Sequence, residues 1–192
     1  MVLSLSTARR AVLAALCVLA LAFAACSPEP PPAFTGYENT AWGVRFSPAK
    51  GWAVAETAVE GCLFAVEASS GPDARFQICV SAPRPEILLT QNTFVSCENV
   101  KQYVREALKG VNPLCTPGKV WGEFAYDTLY VRLLQSGDRV RVQCVNHLFV
   151  PLPGRLVQVI AYTLGDDEKA ARDAFEANRV ALMRMISSTR LR

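Results

Sequence analysis

Seven cysteines and a single histidine are the residues of this chain best suited to chemistry. Five of the cysteines, Cys62, Cys79, Cys97, Cys115 and Cys144, lie in the body of the sequence. They open four routes: disulfides, a metal site, a redox pair or a nucleophile. A thioredoxin-like centre needs Cys-x-x-Cys and covalent haem attachment needs Cys-x-x-Cys-His, and neither string occurs. Cys144-x-x-His147 supplies a thiolate and an imidazole, two ligand types that zinc accepts. On a strand, however, positions three apart point to opposite faces, so the two would not converge on one ion. Any Ser-His-Asp or Cys-His mechanism must run through His147. Its alternating neighbours Arg141, Gln143, Val145 and Phe149 form a half-polar face, which predicts an exposed sheet histidine rather than a general base. The acidic cluster Asp166-Asp167-Glu168 is explained by helix capping, and no Gly-rich phosphate loop follows a strand. No catalytic residue, cofactor or metal ligand is assigned on this reading.

Where the cysteines end up depends on compartment, and the N-terminus bears on that. Arg9-Arg10 precede an apolar run from Ala11 to Ala25, which is shorter than the roughly 20 residues of a membrane span. A positive flank, an apolar run and small residues before a cut point are the layout of a secretory signal. The stretch LAFAAC resembles a bacterial lipobox, in which the cysteine thiol takes a diacylglyceryl group and a peptidase cuts just before it. That resemblance makes residues 1–25 a signal peptide and Cys26 the lipid-carrying first residue, although Phe23 stands where Leu is usual. The alternative is an ordinary secretory signal cut after Ala24. Residues 26–35, rich in proline, read as a tether in extended polyproline II conformation that would span about 28 Å. Ser27 resembles the residue that lets lipoproteins proceed to the outer membrane of a Gram-negative cell. Without Arg9 and Arg10, 18 Lys/Arg face 17 Asp/Glu, so the mature chain is near neutral and has no electrostatic case for binding nucleic acid.

Residues 36–192 carry one uninterrupted globular pattern. Strand-like runs at 42–46, 52–57, 62–68 and 75–82 are punctuated by Ser47-Pro48 and Ser69-Ser70-Gly71-Pro72. Helical spacing follows over 97–108, with Ser96 as N-cap and Gly110 as stop. Three longer strands, 125–134, 139–150 and 155–163, form a meander, and a helix over 166–187 closes the chain on a stripe of Ala171, Phe175, Leu182 and Ile186. Grouped strands with inserted helices predict α+β: an antiparallel sheet covered by helices, in a single domain. Trp42, Trp52 and Trp121 read as core or sheet-edge packing. The run Phe149 to Pro153 reads either as an exposed apolar tip or as a turn tucked against the last helix.

In an exported protein these cysteines are expected to form disulfides. Hairpin numbering places Cys62 opposite Cys79, with Leu63, Ala65, Phe76, Ile78 and Val80 on the core face. A register one residue different would separate the thiols and bring Phe64 and Val66 inward instead. Cys144 alternates with Val140, Val142 and Leu148 and is expected to be a buried free thiol, which leaves Cys97 and Cys115 as the second bridge.

The stretch YENTAWGVRFSPAKGW resembles the opening of PsbP-like and DcrB-like domains, in which a short strand leads to a proline, then Gly-Trp, then another strand. Here these are Val44 to Phe46, Pro48 and Gly51-Trp52, and the later order of hairpin, helix, meander and C-terminal helix is similar too. The resemblance covers most of residues 36–190. It implies a PsbP-like αβ sandwich with a non-catalytic binding or assembly role in the cell envelope, toward a protein partner. The contrasting reading is an envelope enzyme that uses a free cysteine and His147. Fold alone does not decide between them.

Overall fold

β-Branched and aromatic residues in alternation, held between Gly, Pro and Ser turns, commit most of this chain to strands. The computed structural model describes residues 35–83, 96–136 and 139–191, so residues 1–25, expected to be a signal peptide, and Cys26 lie outside the described residues. The elements run β1 (Tyr37–Asn39), β2 (Val44–Phe46), β3 (Ala53–Glu56), β4 (Phe64–Ser70), β5 (Ala74–Ser81), α1 (Cys97–Glu106), β6 (Val111–Val120), β7 (Glu123–Ser136), β8 (Arg139–Leu152), β9 (Arg155–Gly165), α2 (Glu168–Ser188) and β10 (Arg190–Leu191). Seven strands form one sheet in the order β3-β4-β5-β9-β8-β7-β6, and β1-β2-β10 form a small second sheet. Every pairing is antiparallel. This is the α+β architecture that the grouping of strands and helices predicts. Among the described residues no helix is long and apolar enough to cross a membrane.

Both faces of the large sheet are covered, each by different chemistry. On one face α2 lays Ala171, Phe175, Leu182 and Met185 against Ile78, Leu148, Val157 and Val159. Phe46 of the small sheet reaches the same cluster through Phe76, with ring centroids 5.0 Å apart. All three tryptophans are half-buried against it, and the Trp121 indole N–H donates to the Ile186 carbonyl at 3.0 Å. Phe149 and Val150 are fully buried and Leu152 packs on the core, so the turn after them presents no apolar tip. On the opposite face α1 sets Val100, Tyr103 and Val104 over Tyr126, Tyr130, Val145 and Phe149. The capping is local: Ser96 accepts from the Asn99 N–H at 3.4 Å and Asp167 from the Ala170 N–H at 2.7 Å. Helix α1 stops where Lys109 takes a positive φ of 56° and the Gly110 N–H returns to the Val104 carbonyl at 2.8 Å.

Two sequence expectations are corrected here. The first is the β4–β5 register, in which Phe64 pairs with Val80, Val66 with Ile78 and Ala68 with Phe76. All six face the core, while Leu63, expected inside, is 61% exposed. Burying Phe64 and Val66 outweighs keeping the cysteines in cross-strand register. Cys79 points to the other face, beside Ala65 and Gln158. Cys62 precedes β4, in a turn closed by its own N–H on the Val59 carbonyl at 3.0 Å. From outside the ladder it still bridges Cys79, with Cα atoms 5.6 Å apart. The second correction is β6, which was not foreseen. It runs back beside α1 and brings Cys115 within 5.6 Å (Cα–Cα) of Cys97, closing the other disulfide. Its sequence, VNPLCTPGKV, holds two prolines and a glycine and lacks alternation. An edge strand tolerates these because only one of its sides must hydrogen-bond.

Non-reducing peptide mapping should return Cys62–Cys79 and Cys97–Cys115, with Cys144 alkylated only after unfolding; a crosslink that contains Cys144 would contradict the structure. Removing either bridge by a paired Cys→Ser change should cost about 3 kcal/mol in the chain-entropy model. A Cβ at Gly110 would lie 2.5 Å from Val104 Cγ1 and 2.7 Å from Tyr130 Cδ2. Gly110→Ala should therefore destabilise by about 1–3 kcal/mol in urea unfolding, through forced repacking of α1.

Candidate functional site

The thiol and the imidazole of the Cys144-x-x-His147 sequence part company on β8. Cys144 is paired in register with Val131 and Thr163, under α2. His147 is paired with Thr128 and Ile160, on the α1 side. Strand alternation alone produces this divergence. The pair can act neither as nucleophile and base nor as ligands of one ion. Among the described residues no group of three or more His, Cys, Asp or Glu side chains is placed to hold a metal.

His147 is the site residue whose environment departs most from the sequence reading. It was expected at an exposed position and is 1% exposed. Its neighbour on the same face, Phe149, meets Tyr103 of α1 edge-on with ring centroids 6.1 Å apart, a tertiary contact that alternation within β8 could not reveal. Its ring stacks on Phe149 at 3.8 Å, and Nδ1 lies 3.1 Å from the Tyr130 hydroxyl. Burial, with a contribution from the Arg132 guanidinium, pushes the imidazole pKa down to about 3. Gln158 approaches the ring and opposes this slightly. Its amide, however, is turned to the Cys79 sulfur at 3.7 Å, and Nε2 has no partner of ordinary hydrogen-bond geometry among the described residues. The result is a neutral core histidine.

On the other face a groove of about 540 Å³ opens between α2 and strands β6 to β8. Its floor includes Leu114, Leu129 and Val131, and its helical wall carries Arg172, Glu176, Arg179 and Met183. Cys144 lies at the base, where burial raises its thiol pKa and outweighs the lowering by Arg172. Such a thiol stays protonated and is a poor nucleophile. Asp127 also lines the groove and accepts a hydrogen bond from Asn146. Desolvation raises the Asp127 carboxyl pKa against the opposing effect of that hydrogen bond. The four helix-wall charges pair along α2 itself, Arg172 with Glu168 at 2.8 Å and Arg179 with Glu176 at 3.4 Å. Of the groove residues, Cys144 alone was weighed as a reactive group in the sequence, while Val145, Glu168 and Phe175 were given packing or capping roles. The signal available was Asp127, an acid set between the aromatic and apolar residues Phe124 to Tyr126 and Leu129 to Val131 of β7.

A second hollow, lined by Arg139, Arg141, Asp73 and Asp166, is organised around the Arg141–Asp73 ion pair at 2.8 Å. That pair ties β8 to the β4–β5 turn and serves structure.

The buried imidazole makes stability depend on pH with a definite sign. Below about pH 6.5 the unfolded chain takes up a proton on His147 that the folded chain refuses until about pH 3. Stability should therefore fall as pH drops through that window, by up to about 1.4 kcal/mol per pH unit. In urea unfolding at pH 7.0, 5.5 and 4.5, the unmodified chain should lose stability more steeply than His147→Gln; parallel curves would disprove the burial. At pH 7 the same substitution should cost about 1–3 kcal/mol, more than an exposed histidine would.

No family model matches the sequence, and no curated protein matches it. Among solved structures, cyanobacterial PsbP (CyanoP) from Synechocystis sp. PCC 6803 is similar at a TM-score of 0.54 and 15% identity, over 87% of this chain and 99% of that one. LpqN, described as involved in cell envelope biogenesis of Mycobacterium tuberculosis, is matched over 82% of this chain and 86% of its own, at 11% identity and a TM-score of 0.43. At these identities likeness concerns architecture alone, and the match to CyanoP carries it: the described residues have a PsbP-like fold.

Proposed function

We propose that this chain is an exported lipoprotein, anchored through Cys26, whose PsbP-like domain binds a protein partner in the cell envelope without catalysing a reaction. The observation that carries the non-catalytic reading is the divergence of Cys144 and His147 to opposite faces of β8. A nucleophile and its base must lie within hydrogen-bond reach, and these two are separated by the sheet itself. Their environments add to this, since burial holds the thiol protonated and the imidazole neutral. The contrasting enzyme, with Cys144 as nucleophile and His147 as base, would need the two groups on one face.

Export is supported by the two disulfides, which persist in oxidising compartments. The anchor is supported by LAFAAC followed by the proline-rich tether. One acyl chain holds only marginally, whereas two or three hold essentially permanently. With Ser27 next to the anchor, the proposed location is the periplasmic face of the outer membrane in a Gram-negative cell. Intact mass of membrane-extracted protein should correspond to a chain that begins at Cys26 and carries acyl groups. Cys26→Ala should release the protein into the soluble fraction. A soluble native form beginning at Ala25 would rule the anchor out.

A further inference from the structure

Strand spacing decides how much of a sheet one helix can cover. Helix α2 lies over β9, β8 and β5. The small sheet covers the flank beyond them, with Phe46 on Phe76 and Trp42 on Phe64. Among the described residues, β6 and β7 have no such cover on that same face. Leu114 is 67% exposed, Leu133 65%, Val111 50% and Leu129 46%. Register puts Leu114 beside Leu129 and Val111 beside Val131, so these side chains form one continuous apolar strip. Two strands are about 10 Å wide and an α-helix with its side chains is about 10–12 Å across. The strip is therefore one helix wide and lies beside the flank of α2, whose Arg172, Glu176 and Arg179 line the same groove. At its border stands the Asp127 carboxylate, hydrogen-bonded to Asn146 and without an ion pair among the described residues.

We infer that this strip is the docking site for an amphipathic helix of the envelope partner, which lays an aliphatic stripe on Leu114, Leu129 and Leu133 and places a basic side chain on Asp127. The inference rests on the binding role proposed above and names its surface. Charge complementarity selects the partner: the helix-wall charges of α2 already neutralise one another, so Asp127 is the charge left for a cation. Other occupants fit less well. A second copy that filled the strip with its own α2 would bury Lys169, Arg172, Asp173 and Glu176 on apolar side chains. A strand added at the edge would meet Pro113 and Pro117, which cannot donate to a ladder. A single acyl chain in so open a trough would keep much of its length in water.

The test uses the mature chain carrying Cys26→Ser, which retains everything except the proposed acyl groups. It is titrated with a helical Leu/Lys peptide of about 18 residues, long enough to be helical when docked, and with the Leu/Glu peptide of the same apolar stripe. Amide shifts should appear at Leu114, Leu129 and Leu133 with the Leu/Lys peptide. Binding should weaken at least about tenfold in Leu129→Asp, where a charge would have to be buried on the strip. It should weaken about fivefold in Asp127→Asn and for the Leu/Glu peptide, the size of one partly exposed ion pair. Unchanged far-UV circular dichroism would show that the variants fold. The inference is overturned by equal binding of both peptides, by no shift in the strip, by laurate saturating the strip where the peptide does not, or by self-association through those amides. Failure of the functional reading is seen separately. If Cys144→Ser or His147→Gln abolished activity in cells while the peptide still bound, the non-catalytic reading would fall and the strip would stand.

Discussion

Strand β8 is buried on both faces from Gln143 to Val150, yet it carries Gln143, Asn146 and His147 within that stretch. Each of these polar side chains would be costly to bury alone. Each finds its partner on β7: Arg132 donates to Gln143, Asn146 donates to Asp127, and the Tyr130 hydroxyl meets His147. The three cross-strand pairs hold only in the observed register. A slip of one residue would break them together and turn every apolar side chain of β8 to the wrong helix. The two clusters on either side of the sheet, and the places where α1 and α2 can dock, depend on this alignment.

The alternation that defines β8 was legible from residue types alone, as was the antiparallel α+β class. Ser96 as a cap and the apolar stripe of α2 were equally legible, apart from Met185 taking the fully buried place given to Ile186. What escaped the sequence depends on contacts between elements. His147 is packed by Tyr130 of β7 and Phe149, and Phe149 in turn meets Tyr103 of α1, contacts that alternation within one strand does not reveal. The β4–β5 register departs from the expected one because Cys62 lies outside the ladder. In fact Cys62 reaches Cys79 from a turn, so bridge and core do not compete. Strand β6 has prolines where strand propensity would forbid them, and only the edge position makes them acceptable.

The candidate site was less legible than the fold. Reactive residue types drew attention to Cys144 and His147, whereas the groove is built largely from ordinary leucines, valines and one aspartate that gain meaning from their place in the fold. Uneven cover follows from the layout: α1 lies against β6 and β7 on the side that holds His147, and α2 sits over β5, β8 and β9 on the other. Among the described residues, the sheet has more strands than its α2 face has cover.

The position of Cys144 has a consequence for how the native bridges are reached. Its shield is α2, among the last elements to be synthesised. In an oxidising compartment, a chain whose C-terminus has not yet packed exposes Cys144 alongside the four cysteines destined for pairing. Correct pairing is then secured by the order of events: the final helix must close over one thiol before oxidation joins the wrong two, or an isomerase must reopen the error. A truncation that removes α2 would thus remove both part of the core and the guard that keeps the fifth cysteine out of the exchange.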